Sequence, residues 1–168
     1  MAMTFSQMAA AGLFGVAVLS SAQAETSKSQ VGNFIYEKSK DVMSDVQIEI
    51  AYAQSLDNPD MNIVFRCDAD NKRVAITHDY MIGVDSNVSV MYRVDDRDAV
   101  GYESWDLLRD NESSVVKIYK MERILDAITQ AEQIIFRVRD GYDGDTNTGS
   151  FDTEGSEEVL SRLSCFDY

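Results

Sequence analysis

Positive charge is scarce in this chain: 15 Lys and Arg stand against 29 Asp and Glu, for a formal net charge of -14. A surface this acidic repels phosphate backbones, which excludes general nucleic-acid binding. Histidine occurs once, at His78, and cysteine twice, at Cys67 and Cys165. Two Cys and one His do not fill a four-ligand zinc site within one chain. No apolar run reaches the ~20 residues that a membrane-spanning helix needs. There is no G-x-S-x-G elbow, no Gly-rich phosphate loop and no cofactor motif, so no reaction is written in the sequence. Proline is almost absent, with Pro59 alone. The hydrophobic fraction is nonetheless 45%, ordinary for a folded domain, and 168 residues suggest one such domain.

Residues 1–24 contain no Asp, Glu, Lys or Arg. An apolar run over 8–19 leads into Ser20-Ser21-Ala22-Gln23-Ala24, the small-x-small pattern of a signal-peptidase site. This predicts a signal peptide over 1–24 and a mature chain that begins at Glu25 and keeps all of the charge. That chain would be periplasmic or secreted, with no integral membrane segment. The even cysteine count then favours a disulfide between Cys67 and Cys165, with two buried free thiols as the alternative.

The mature chain opens with a polar lead-in over 25–33, expected to be flexible. Period-two alternation then recurs in short runs. Residues 46–52 place Val46, Ile48, Ile50 and Tyr52 on one face. Residues 62–67 group Ile63, Phe65 and Cys67, and a tight turn over 68–72 makes a hairpin with 73–79. There Val74, Ile76 and His78 share an apolar face, the setting of a packed histidine. Residues 88–94 alternate with Val88, Val90, Tyr92 and Val94 inward. Segments 102–108 and 115–118 are weaker strands. The period changes over 119–131, where Met121, Ile124, Leu125 and Ile128 form a helical stripe. Residues 133–139 return to a strand, 140–149 read as a polar loop, and Phe151 closes a last strand. Ser156 is expected to N-cap a final helix that turns Leu160 and Leu163 inward. The result is an α+β domain over 34–168. It is predominantly antiparallel sheet, sandwich-like as its alternative form, with two helices and one disulfide.

Three constellations could carry function. In the acidic loop 143–154, Asp143, Asp145, Asn147 and Glu154 occupy positions 1, 3, 5 and 12 of an EF-hand-like spacing, a candidate calcium set. The required Gly at position 6 is Thr148, which favours a plain solvated turn. Arg66, Arg93, Arg137 and Arg139 fall on the non-core faces of predicted strands. If those strands are neighbours, they form a basic stripe able to fork onto carboxylates or phosphates. Ion pairing with nearby acids is the plainer reading. Trp105 is either a partner-binding aromatic or a core plug.

The ordered features together resemble a known family. They are Val64-Phe65-Arg66-Cys67, the Tyr92-Arg93-Val94-Asp95 strand, and the Trp105-led segment to Asn111. A helix and the Ile135-Phe136-Arg137-Val138 strand follow. Phe151-Asp152-Thr153-Glu154-Gly155, a helix and Cys165-Phe166 close the series. This order is similar to the VasI-type (TagO-type) proteins associated with type VI secretion. The resemblance implies an exported single domain, supports pairing Cys67 with Cys165, and supplies no catalytic residues.

The expectation is therefore an exported, non-enzymatic accessory or binding protein without a cofactor, whose partner is an envelope or secretion-apparatus protein. Arg66, Arg93, Arg137 and Trp105 are its candidate contacts. The alternatives are a calcium-dependent binding module through 143–154, and a cell-wall hydrolase or an inhibitor of one.

Overall fold

The computed structural model describes residues 26–78, 88–109, 111–141 and 143–167. The expected signal peptide lies outside the described residues. The chain runs β1 (Ser27–Val31), β2 (Phe34–Lys40), β3 (Gln47–Gln54), β4 (Met61–Asp68), β5 (Asn71–His78), β6 (Ser89–Val94), β7 (Val100–Ser104), β8 (Asp106–Leu107) and β9 (Ser113–Val115). A 3-10 turn (Ile118–Lys120) leads into α1 (Met121–Thr129), followed by β10 (Gln133–Arg139), β11 (Thr146–Asp152) and α2 (Ser156–Arg162). Every pairing is antiparallel. A seven-stranded sheet has the order β1-β2-β3-β4-β5-β9-β8, and a four-stranded sheet the order β11-β10-β6-β7. The expected α+β class, predominantly antiparallel with two helices, is what the chain adopts.

One core joins the inner faces of both sheets to the apolar sides of the helices. Phe34, Phe65 and Phe166 pack at one end of it, and Trp105, Phe136 and Phe151 at the other. The helical stripe of Met121, Ile124, Leu125 and Ile128 is buried, as its spacing demands. Cys67 and Cys165 form the disulfide, which ties β4 to the segment after α2 across a sequence separation of 98.

The expected flexible lead-in is a correction. Ser27–Val31 is an edge strand paired with β2 in the register Val31↔Phe34. An edge strand needs only its backbone ladder, so a polar run of Ser, Lys and Gln can serve, and lysine there discourages further pairing. Lys28 Nζ binds Glu37 across the pair at 2.6 Å.

Ser156 is a second correction: it is the buried first residue of α2, and Gly155 takes the cap position at φ 86°. The β1–β2 turn explains why. A Cβ on Gly155 would lie 2.5 Å from the Val31 carbonyl oxygen, and one on Gly32 2.2 Å from that of Glu154. Two turns packed backbone to backbone require glycine on both sides.

The expected loop over 140–149 is shorter than read, because β11 begins at Thr146. The strand at 46–52 has its faces reversed relative to its hydrophobicity. Glu49, Ala51 and Ala53 point to the core, while Ile48, Ile50 and Tyr52 stay half-exposed. On that outer face the register sets Ile35, Tyr52, Val64, Ala75 and Val115 in one row across five strands. The apolar signal was therefore sheet packing on an open face.

Candidate functional site

The arginine set divides between the two sheets. Arg66, on β4, is in the large sheet, and both it and Arg73 bind Asp68, at 2.9 and 3.7 Å. Arg93, Arg137 and Arg139 are in the small sheet, on its outer face. The single stripe expected from the sequence does not form, because β4 and the β6/β10 pair belong to different sheets.

The pair Arg93 and Arg137 is the informative remainder. Their strands are adjacent, with Arg93 opposite Ile135 and Arg137 opposite Met91. The two arginines are thus diagonal neighbours, roughly 7–8 Å apart in such a ladder and within reach of each other's long side chains. Both are exposed, and both line a cavity of about 350 Å³ together with Asp57, Met91, Ile135, Ala99 and Thr148. Thr148 Oγ1 accepts a 3.0 Å bond from Arg137 Nε. Among the described residues neither arginine has a carboxylate within ion-pair distance, whereas Arg66, Arg73, Arg97, Arg123 and Arg162 each do. Arg139 continues the face, its guanidinium 5.5 Å from the centre of the Tyr102 ring.

Asp57 sits beside this pair with its oxygens already engaged. Ser55 Oγ donates to it at 2.8 Å, the Ser150 backbone N–H at 2.8 Å, and the Ser150 hydroxyl closely. The Ser150 hydroxyl and then its backbone N–H hold the Asp57 carboxyl down to about 2, so it stays ionised. These bonds dock the 55–60 loop onto β11. A Cβ on Gly149 would meet Ser55 Oγ at 2.8 Å, so this close approach also depends on glycine.

Trp105 is a core residue, which corrects its place among the candidate contacts. It is 1% exposed and stacks edge-on to Phe136. A large ring that fills the end of the core has no surface left for a partner. The calcium set is not brought together either. Asp143 and Asp145 precede β11 and Glu154 follows it. Seven extended residues put about 20 Å between those ends, where an EF-hand would wrap them around one ion. Asn147 Oδ1 instead accepts from Asn58 Nδ2 at 2.6 Å. No group of three or more His, Cys, Asp or Glu among the described residues could hold a metal ion.

His78 is the packed histidine that its face suggested: it is 1% exposed, with Nε2 3.0 Å from Ser114 Oγ. Ser114 is itself fully buried, so this pair presents no accessible nucleophile. Sequence reading missed Asp57, Met91, Ala99, Ile135 and Thr148. Met91 and Ile135 were legible in principle, since each alternates with core residues on the strand that carries its arginine. Asp57 and Thr148 were not, because loop docking and the β10–β11 register bring them there.

No protein-family model and no curated protein matches this chain. Its fold is shared with the crystal structure of invasion associated protein B from Bartonella henselae. The TM-score is 0.54 at 13% identity, covering 81% of this chain and 94% of that one. No helix among the described residues is long and apolar enough to cross a membrane.

Proposed function

We propose that this chain is an exported, non-enzymatic binding protein that meets an envelope partner through the outer face of the β11-β10-β6-β7 sheet. The observation that carries the reading is the Arg93–Arg137 pair. Cations are the minority charge here, and acids engage most arginines named above. Two exposed arginines on one apolar-floored cavity, without such a partner among the described residues, are the groups left for another molecule. The Cys67–Cys165 disulfide supports an oxidising compartment. The fold shared with a protein described as invasion associated, and the resemblance to VasI-type proteins, support a contact role outside the cytoplasm.

Site-specific photo-crosslinking tests this reading in intact cells. A probe at Tyr102 or Leu56, both exposed near this face, is expected to give a defined adduct. A probe at Ile48 on the open face of the large sheet should not. The adduct should disappear in an Arg93→Glu/Arg137→Glu variant. Absence of adducts from the small-sheet face, or adducts indifferent to those substitutions, overturns the proposal.

A further inference from the structure

We propose that the cavity between Arg93 and Arg137 recognises a single carboxylate carried on a short aliphatic stem. The inference deepens the contact-face reading by naming the ligand chemistry. Met91, Ala99 and Ile135 supply apolar surface beside the two guanidinium groups. Low-dielectric walls strengthen a charge-assisted bond to a ligand, and burying an alkyl stem against them adds hydrophobic stabilisation. Thr148 fixes Arg137 through Nε, which leaves the two Nη groups to a ligand. Arg93, its diagonal neighbour on the adjacent strand, lines the same cavity. Two forks from diagonal positions can share one planar carboxylate.

The surroundings select against other anions. A volume of about 350 Å³ is at the small end of ligand sites. The ionised Asp57 in the cavity lining and the net charge of -14 repel polyanions. A monoanion with an apolar body suffers least from that repulsion and gains most from the walls. Inorganic phosphate carries more charge and has no stem. The ligand is either a free aliphatic acid or the C-terminal end of a peptide, which share this chemistry.

Titration of the purified full mature protein, followed by the Met91 methyl and arginine Nε NMR signals, tests the site. The probes are 4-methylpentanoate, its carboxamide, a Leu-terminated tripeptide as free acid and as amide, and inorganic phosphate. Both free acids are expected to shift the Met91 and Arg137 signals, and the amides and phosphate to leave them in place. A tighter tripeptide acid identifies a chain end as the source; equal or weaker binding identifies a free acid. Arg93→Gln and Arg137→Gln should each weaken binding about tenfold, and Asp57→Asn should tighten it. Because both arginines are exposed, an unchanged melting temperature confirms that the variants fold. Equal response to acid and amide, equal response to phosphate, or binding indifferent to both arginines overturns the site. Crosslinks that persist without carboxylate binding sink this inference alone. Carboxylate binding without crosslinks sinks the partner-contact reading and leaves the site.

Discussion

Glu49 Oε2 accepts a 2.7 Å hydrogen bond from the backbone N–H of Ser164, one residue before the disulfide-bonded Cys165. A carboxylate only 2% exposed thus helps to seat the C-terminal segment on the sheet. Its other oxygen accepts from Gln47 at 2.7 Å and Tyr36 at 3.2 Å and binds Lys38 at 3.1 Å. Burial pushes the Glu49 carboxyl up, but the Ser164 and Lys38 donors outweigh it and hold the group below its ordinary range. Glu49→Ala should therefore lower stability by about 2 kcal/mol, through loss of the charge-assisted bond to the Ser164 N–H, while the half-exposed Lys38 turns to water. The urea midpoint measures this. A change within error would mean that Glu49 carries no structural load.

Stability should fall in acid over a defined window. Glu49 and Asp57 are both depressed, Asp57 to about 2 from 3.8. The unfolded chain then binds more protons than the native one, so stability rises with pH. The contribution is fully present above about 4.5 and is lost as pH falls toward 2. Urea midpoints between pH 7 and pH 2 should show that decline, and Asp57→Asn should flatten its lower end. A flat profile below pH 4.5 would contradict the assignment.

The cysteines should be protected from alkylation in the native, unreduced protein, with no labelled thiol by mass spectrometry. A Cys67→Ser/Cys165→Ser variant should lose up to ~4.7 kcal/mol, the chain-entropy value for a loop near 100 residues. Two labels on native protein would mean that the bridge is not formed in the cell.

Gly155→Ala should cost about 2 kcal/mol or more, through a positive φ and a Cβ placed against the Val31 carbonyl. Gly101 offers the control: a Cβ there meets nothing within 4 Å and the residue has no positive φ, so Gly101→Ala should change the melting temperature little. Equal effects at both positions would refute the packed-turn explanation.

The single tryptophan reports on the core. Trp105→Ala should cost about 3–5 kcal/mol as a cavity. Trp105→Phe should cost much less, because Nε1 has no hydrogen-bond partner among the described residues and loses nothing when removed. Blue-shifted native emission that moves red on unfolding would match its burial. Water-exposed emission in the native state would not.

Particular elements show how far periodicity reaches. The helix stripe at 121–128, and the inward residues of β4, β5, β6 and β10, were legible because amphipathic spacing records one buried face directly. β3 was misleading for the same reason. Its larger apolar residues face the open side, and the core side carries Ala51, Ala53 and a glutamate satisfied by partners far along the chain. The Ser156 cap failed because the choice of Gly155 is made by β1, over a hundred residues away. Arg93 and Arg137 were named from sequence as outward cations. Their separation from Arg66, and the company of Asp57 and Thr148, required knowing which strands adjoin.

By itself the sequence determined the α+β class, the two helices, most core residues and the pairing of the only two cysteines, since local spacing and counting set these. Tertiary structure decided which arginines share a face, which acids are occupied, and that 143–154 is mostly a strand. Those outcomes depend on sheet order and loop docking, where contact energies between distant segments override what any short window prefers.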